Sequence, residues 1–290
     1  MENLKIFGGI LAAILPAFFW LIIFFKKDSA QPEPKKMIFR TFFLGIFSVI
    51  PFFGINFALE KSPNLQFFFD YLSQKIVFIE IIIIFLLAFL EEIAKHFAVL
   101  RLGSSLKIYF DQIVDGIIYS VSAALGFAFA ENFFYFWQAG KFFDFSDTEF
   151  WVIFGFRSFG TMLGHVIFSG IFGFFWGHAF LSTAVAKKHN FSVRKFFSKI
   201  FQTLKFHIIF RHILISRPSL RGHEKSDLVR EALFLATIIH AFFNFFIETE
   251  IFGKKLTKLI VPILVFGFVF LGKQFLVPRN VKILKPIKKK

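Results

Sequence analysis

One run within an apolar stretch of this sequence carries two adjacent carboxylates, a lysine and a histidine: Glu91, Glu92, Lys95 and His96. Glu91 and Lys95 are four residues apart with the glutamate first, which is the favourable order for an ion pair on a helix. Glu92 then falls on a neighbouring face. Carboxylates can take a proton from water, so the run is a candidate for acid–base catalysis. The alternative is a helix end from which Lys95 and His96 extend to reach water.

Two further apolar stretches carry isolated polar side chains. Glu131 and Asn132 lie late in the first, and Arg157 and His165 lie in the second. The alternative for Glu131 is a solvated position near the end of its stretch, and for His165 it is a buried histidine with satisfied hydrogen bonds. Both stretches are rich in small residues that allow helices to approach closely. These are Gly116, Ser120, Ala123, Gly126 and Ala130 in one, and Gly164, Gly170, Gly173 and Gly177 in the other.

A fourth stretch carries His240 and Asn244. The two residues are four apart and therefore share one helix face. An apolar helix has no packing need for such a pair, which indicates either a site or a hydrogen-bond clamp between helices.

The stretches that carry these residues are long and apolar enough to be membrane helices. The sequence has 290 residues, is 56% hydrophobic and has no cysteine, which excludes disulfides and a thiolate nucleophile. Runs of about 20 apolar residues can cross a bilayer core of about 30 Å, and in lipid they must be helical. The sequence therefore predicts an all-α, polytopic membrane bundle of about seven transmembrane helices. The predicted spans are 6–25, 38–59, 76–100, 113–137, 151–183, 230–248 and 257–276.

The formal net charge of +15 fits the same topology. Strongly basic connectors alternate along the chain with connectors of mixed or acidic charge, so all the basic ones fall on one side of the membrane. Lysine and arginine collect in cytoplasmic loops, which places the amino terminus outside and the carboxyl terminus in the cytoplasm, with no need for a nucleic-acid partner. The long basic connector 184–229 has hydrophobic residues at helical spacing around 196–204, which predicts an amphipathic helix on the inner leaflet. This topology puts Glu91 toward the inner face and Glu131 toward the outer, so the two carboxylates are expected to lie apart.

Taken in order, the motifs resemble the PrsW family of intramembrane proteases, within the wider superfamily of CAAX prenyl proteases and bacteriocin-processing enzymes. The matching runs are Glu91-Glu92-Ile93-Ala94-Lys95, Asp115-Gly116-Ile117, Gly126-Phe127-Ala128-Phe129-Ala130-Glu131-Asn132, the glycine-rich run from His165, and His240-Ala241-Phe242-Phe243-Asn244. The resemblance extends over about 76–248, which would be the protease core. It leaves out two helices within 1–60 and a last helix with a basic tail at 257–290.

The resemblance implies that Glu91, with a histidine, activates water, and that His240 and Asn244 bind the oxyanion while Lys95 orients Glu91 and Glu92. Glu131, Asn132 and Arg157 would support the site or bind substrate. The rival is a divalent metal such as zinc, held by His165, His240 and a glutamate. The sequence lacks a His-Glu-x-x-His zinc motif, since His223-Glu224 continues as Lys225.

The expected function is hydrolysis of a peptide bond in or near the span of a membrane-protein substrate. The resemblance suggests an anti-sigma factor, in the cytoplasmic membrane of a bacterium. Buried glutamate, histidine and lysine also make proton or ion relays, so an ion-coupled transporter is the alternative. A non-catalytic membrane scaffold is a third class.

Overall fold

The structure is a computed structural model that describes residues 2–27, 32–64, 67, 71, 78–101, 109, 110, 112–142, 147–185, 224–248, 250, 251 and 254–275. Eight α-helices lie within these residues. They are α1 (Glu2–Lys27), α2 (Lys35–Glu60), α3 (Phe78–Arg101), α4 (Ile113–Phe142), α5 (Thr148–Gly155), α6 (Met162–Val185), α7 (Glu224–Glu248) and α8 (Ile260–Gln274).

Short irregular elements join some of these helices. A π-helical segment, Phe156–Thr161, connects α5 directly to α6. Strands β1 (Glu250–Ile251) and β2 (Lys254–Lys255) form an antiparallel pair after α7, and a 3₁₀ turn, Leu256–Leu259, leads into α8.

The predicted helical membrane bundle is confirmed. Six helical segments in the described part of the chain are long and apolar enough to cross a membrane, and they fall on six of the seven predicted spans. The remaining span corresponds to α3, whose 24 residues extend about 36 Å at about 1.5 Å per residue. Its crossing stays a prediction, because Glu91, Glu92 and Lys95 place three charged residues in the part of α3 that would cross the membrane.

Helix α4 packs against α1, α2 and α6, and small residues set how closely it does so. At Gly116 of α4 and Gly173 of α6, a methyl group on either residue would collide with the other's carbonyl oxygen. Gly126 of α4 lies in the same way against the backbone of α2 at Phe42. The prediction that small residues allow close helix contact is therefore confirmed at these positions.

Two more helices complete the surroundings of the polar residues. Helix α7 packs against α3 and α6, and α8 packs on the outside of α6, where Gly170 faces Leu271. The polar residues singled out from the sequence accordingly lie on α3, α4, α6, α7 and the π segment. The predicted amphipathic helix around 196–204 lies outside the described residues.

Candidate active site

Glu91 and Glu131 come together in the bundle, with one carboxylate oxygen of each within 4.8 Å of the other, so the expectation that they lie apart is wrong. Glu91 is 13 residues from Phe78, where α3 begins, and Glu131 is 11 residues from Phe142, where α4 ends. At about 1.5 Å per residue these distances are about 20 Å and about 16 Å. The sequence ended the α4 span at residue 137, which placed Glu131 too close to the surface.

Lys95 is at the centre of the polar cluster. Its Nζ atom lies 2.9 Å from Glu92 Oε1, 2.8 Å from His165 Nδ1 and 3.4 Å from Glu91 Oε2. An ammonium group has three donors and no acceptor, so each donor has one partner here. The side chain is fully buried and lies over the ring of Phe127, at 4.7 Å from its centroid. The alternative that Lys95 extends to the membrane surface is therefore wrong.

His165 connects this lysine to Glu131. Its Nε2 atom is 3.0 Å from Glu131 Oε2, while its Nδ1 atom faces Lys95. Because Lys95 can only donate, the hydrogen-bond network assigns the lone pair to Nδ1 and the ring proton to Nε2. His165 therefore donates to Glu131, and both of its ring nitrogens are engaged.

Arg157 approaches Glu131 from the π segment. Its Nη2 atom is 3.0 Å from Glu131 Oε1, which makes an ion pair, and its Nε atom donates to Asn132 Oδ1 at 2.8 Å. The guanidinium carbon lies 3.8 Å from the centroid of the Tyr135 ring. Glu131 therefore lies between a histidine that donates to it and an arginine that balances its charge.

His240 faces the carboxylates of α3. Its Nδ1 atom is 2.8 Å from Glu92 Oε1, and its Nε2 atom is 3.7 Å from Glu91 Oε2. A neutral His240 that donates from Nδ1 to Glu92 has its lone pair on Nε2. The ring of Phe168 stacks on His240 with a centroid distance of 4.7 Å and fixes its plane.

Asn244 follows His240 by one helical turn on α7, as the spacing predicts, and it is half-buried. Its amide makes no hydrogen bond with the residues that the structure describes, whereas the other eight predicted site residues all contact one another in one network. Its place in the active site therefore stays a prediction.

Two neighbours of the site, His96 and Tyr135, were not among the predicted site residues, although the sequence singled out the run that contains His96. His96 is buried, stacks on Phe172 at 3.5 Å between centroids, and brings Nε2 to 3.1 Å from Glu92 Oε2. Tyr135 follows Glu131 by four residues, a spacing that would have placed it on the same face. A separate contact joins Glu33, before α2, to the hydroxyl of Tyr119.

One group of described residues has the donor atoms for a metal ion. Glu91, Glu131 and His165 each offer one ligand atom, and these atoms all lie within 4.8 Å of one another. Two carboxylates and an imidazole are compatible with zinc. The group contains His165, as predicted, but it includes Glu131 in place of the predicted His240.

The chain is similar to known proteins of one family. Residues 33–216 match the model of the PrsW family intramembrane metalloprotease. This range includes α2, which lies before the motifs, and ends before α7. No solved structure matches the chain.

Several curated relatives are similar over part of the chain. Protease PrsW of Bacillus subtilis (strain 168) is 37% identical over 131 residues, which is 44% of this chain and 54% of that protein. Protease PrsW of Geobacillus kaustophilus (strain HTA426) is 30% identical over 182 residues, 60% of this chain and 67% of that protein. Protease PrsW of Oceanobacillus iheyensis is 32% identical over 182 residues, 61% of this chain and 72% of that protein. The match thus spans about half of the Bacillus protein and two thirds or more of the other two.

Proposed function

Because this chain belongs to the PrsW family of intramembrane metalloproteases, we propose that it hydrolyses a peptide bond in or near the membrane span of a membrane-protein substrate. The observation that carries the proposal is the approach of Glu91 Oε2 to His240 Nε2, at 3.7 Å, in a buried polar cluster. Family membership also favours a protease over the ion-coupled transporter that the same residue types suggest.

The first step is activation of water between Glu91 and His240. A water molecule at an ordinary hydrogen-bond distance of about 2.8 Å can contact both Glu91 Oε2 and His240 Nε2, because these atoms are only 3.7 Å apart. It donates one hydrogen to each. Glu91 takes its proton as general base, and the oxygen attacks the carbonyl carbon of the peptide bond. Glu92 holds His240 in the tautomer that this step needs.

The attack moves the electron pair of the carbonyl to its oxygen and creates an oxyanion. Asn244 donates to this oxygen from Nδ2, and its amide is available for that task. The proton on Glu91 then passes to the peptide nitrogen as the C–N bond breaks, which gives a carboxylic acid and an amine. This arrangement differs from the expectation that His240 shares the oxyanion, because the Glu92 contact makes Nε2 of neutral His240 an acceptor.

A divalent metal is the second candidate for water activation. Glu91, Glu131 and His165 would hold it, and the metal would supply a Lewis acid or a more acidic water. Ligation through His165 Nε2 requires the ring proton on Nδ1, which Lys95 cannot accept. The contact of 2.8 Å between Lys95 and His165 Nδ1 therefore supports water activation by Glu91 without a metal.

Cleavage by the purified protein tests the proposal. The protein, reconstituted in liposomes, is incubated with single-span membrane proteins from a bacterium, and the products are identified by mass spectrometry. We expect fragments cut in or near a span, and none with a Glu91→Gln variant that folds normally. A wild-type protein that produces ion flux but no fragments would contradict the proposal.

The substrate class and the orientation are part of the same proposal. We infer an anti-sigma factor or a similar single-span protein in the cytoplasmic membrane of a bacterium, which fits the bacterial relatives named above. The amino terminus would lie outside and the carboxyl terminus inside. Reporter fusions after Lys141 and after Lys290 should then report opposite sides of the membrane, and the same side for both would refute this orientation.

A further inference from the structure

The π-helical segment Phe156–Thr161 presents Arg157 to the site from outside the regular helices. Its defining bond runs from the amide of Met162 to the carbonyl of Arg157, five residues back. Two side chains also donate to that carbonyl: Thr161 Oγ1 at 2.7 Å and Asn132 Nδ2 at 3.4 Å. Single π turns inside helices are frequent at functional sites. Here the backbone of Arg157 is fixed by three donors.

The side chain of Arg157 is also held in place, and all the residues that hold it belong to one helix. All of its named partners lie on the carboxyl-terminal half of α4: Glu131 by an ion pair, Asn132 by a hydrogen bond and Tyr135 by its ring. The Arg157 side chain is 14% exposed and that of Glu131 9%, so the ion pair is largely shielded from water. In such surroundings a planar guanidinium holds the carboxylate beside it in one position.

The other oxygen of Glu131, Oε2, accepts a hydrogen bond from His165 Nε2 at 3.0 Å. This donation leaves Nδ1 of His165 as the acceptor for Lys95, which in turn contacts Glu91 and Glu92. A continuous series of contacts thus leads from the π segment to both carboxylates of α3. The donor and the acceptor in each of these contacts are determined, because Arg157 and Lys95 can only donate hydrogen bonds.

We propose that Arg157 is a positioning residue that acts through Glu131 and, together with Lys95, fixes the tautomer of His165. By holding Glu131 in place as an acceptor, Arg157 keeps the ring proton of His165 on Nε2. The lone pair on Nδ1 then holds Lys95 against Glu91 and Glu92. Arg157 itself touches neither the water nor the peptide bond. The effect on turnover rests on the proposed function, whereas the effect on the tautomer does not.

Kinetics of Arg157→Gln test the effect on turnover. Loss of groups that orient a functional histidine typically costs about 10- to 100-fold. We expect kcat to fall by about that factor with KM changed less than about twofold, and Arg157→Lys to recover part of the loss. In a Glu131→Ala background, Arg157→Gln should cost less than about threefold, because the contact through which it acts is already gone.

The matched control is Ser122→Ala, which removes a buried hydrogen bond to the Ile118 carbonyl on the same helix without touching the site. It should lower the melting temperature without lowering kcat per folded molecule. If Arg157→Gln behaves in the same way, Arg157 is only structural and the proposal is overturned.

Nitrogen-15 NMR of histidine-labelled protein gives a readout that needs no substrate. The His165 signals, assigned by their loss in His165→Gln, should show the Nε2-protonated tautomer in the wild type and a mixture in Arg157→Gln. Unchanged His165 signals in a folded Arg157→Gln protein would overturn the positioning role. If the tautomer shifts but the wild type cleaves no peptide bond, the positioning role stands and the proposed function fails.

Discussion

Replacement of Lys95 by methionine would test the centre of the site most directly. Methionine has similar length and no charge, so it removes the ammonium with little change in packing. Three acceptors within 3.4 Å of Nζ would lose their donor, and two of them belong to buried carboxylates. Removing one partner of a buried ion pair typically costs about 3–5 kcal/mol. We expect the free energy of unfolding to fall by about that amount.

Reversible unfolding in mixed detergent micelles measures this loss. The double variant Lys95→Met/Glu92→Gln is the control, because it removes the closest carboxylate charge together with the ammonium. It should be more stable than Lys95→Met alone. A loss below about 1 kcal/mol for Lys95→Met, the value of an exposed pair, would refute the description of Lys95 as the buried counterion of Glu91 and Glu92.

Three further predictions concern the chemistry. Glu91→Gln should lower turnover by about 10²- to 10⁴-fold in a protein that still inserts and melts normally, and near-normal cleavage would assign the base to another carboxylate. Asn244→Ala should slow cleavage by about 10²- to 10³-fold with little change in KM, as for an oxyanion donor. A large drop in its melting temperature, with normal turnover per folded molecule, would instead make Asn244 a clamp between helices. A chelator should leave cleavage unchanged, and full loss that zinc restores would make His165 a metal ligand.

The sequence predicted the membrane bundle and most of the polar cluster because both depend on local signals. Apolar runs mark spans whatever their partners are, and a charge within a span is costly enough to indicate a protein interior. The spacing of Glu91 and Lys95 predicted their contact, which the structure confirms at 3.4 Å. The small residues of α4 and α6 predicted their close approach, which the structure also confirms.

The contacts between distant helices could not be predicted in this way. The depth of Glu131 depends on where α4 ends, and α4 continues through Gln138, Gly140 and Lys141 to Phe142, although residues of these types usually indicate a connector. The π segment that presents Arg157 has no sequence signal of its own. Likewise, the approach of His240 to Glu92, 148 residues away in the chain, follows from the packing of α7 on α3 and not from the spacing of either motif.

The position of Lys95 favours one of the two ways of activating water that the residue types allow. Its ammonium lies 3.4 Å from Glu91 and 2.8 Å from His165, which are two of the three candidate metal ligands. A divalent ion at these ligands would lie beside a buried cation and, if it bound through His165 Nε2, would need the His165 proton on the nitrogen that Lys95 faces. Both requirements oppose metal binding while Lys95 is charged and in place. The same contacts favour a metal-free site, because they leave Glu91 free to accept a proton from water and direct His165 toward Glu131.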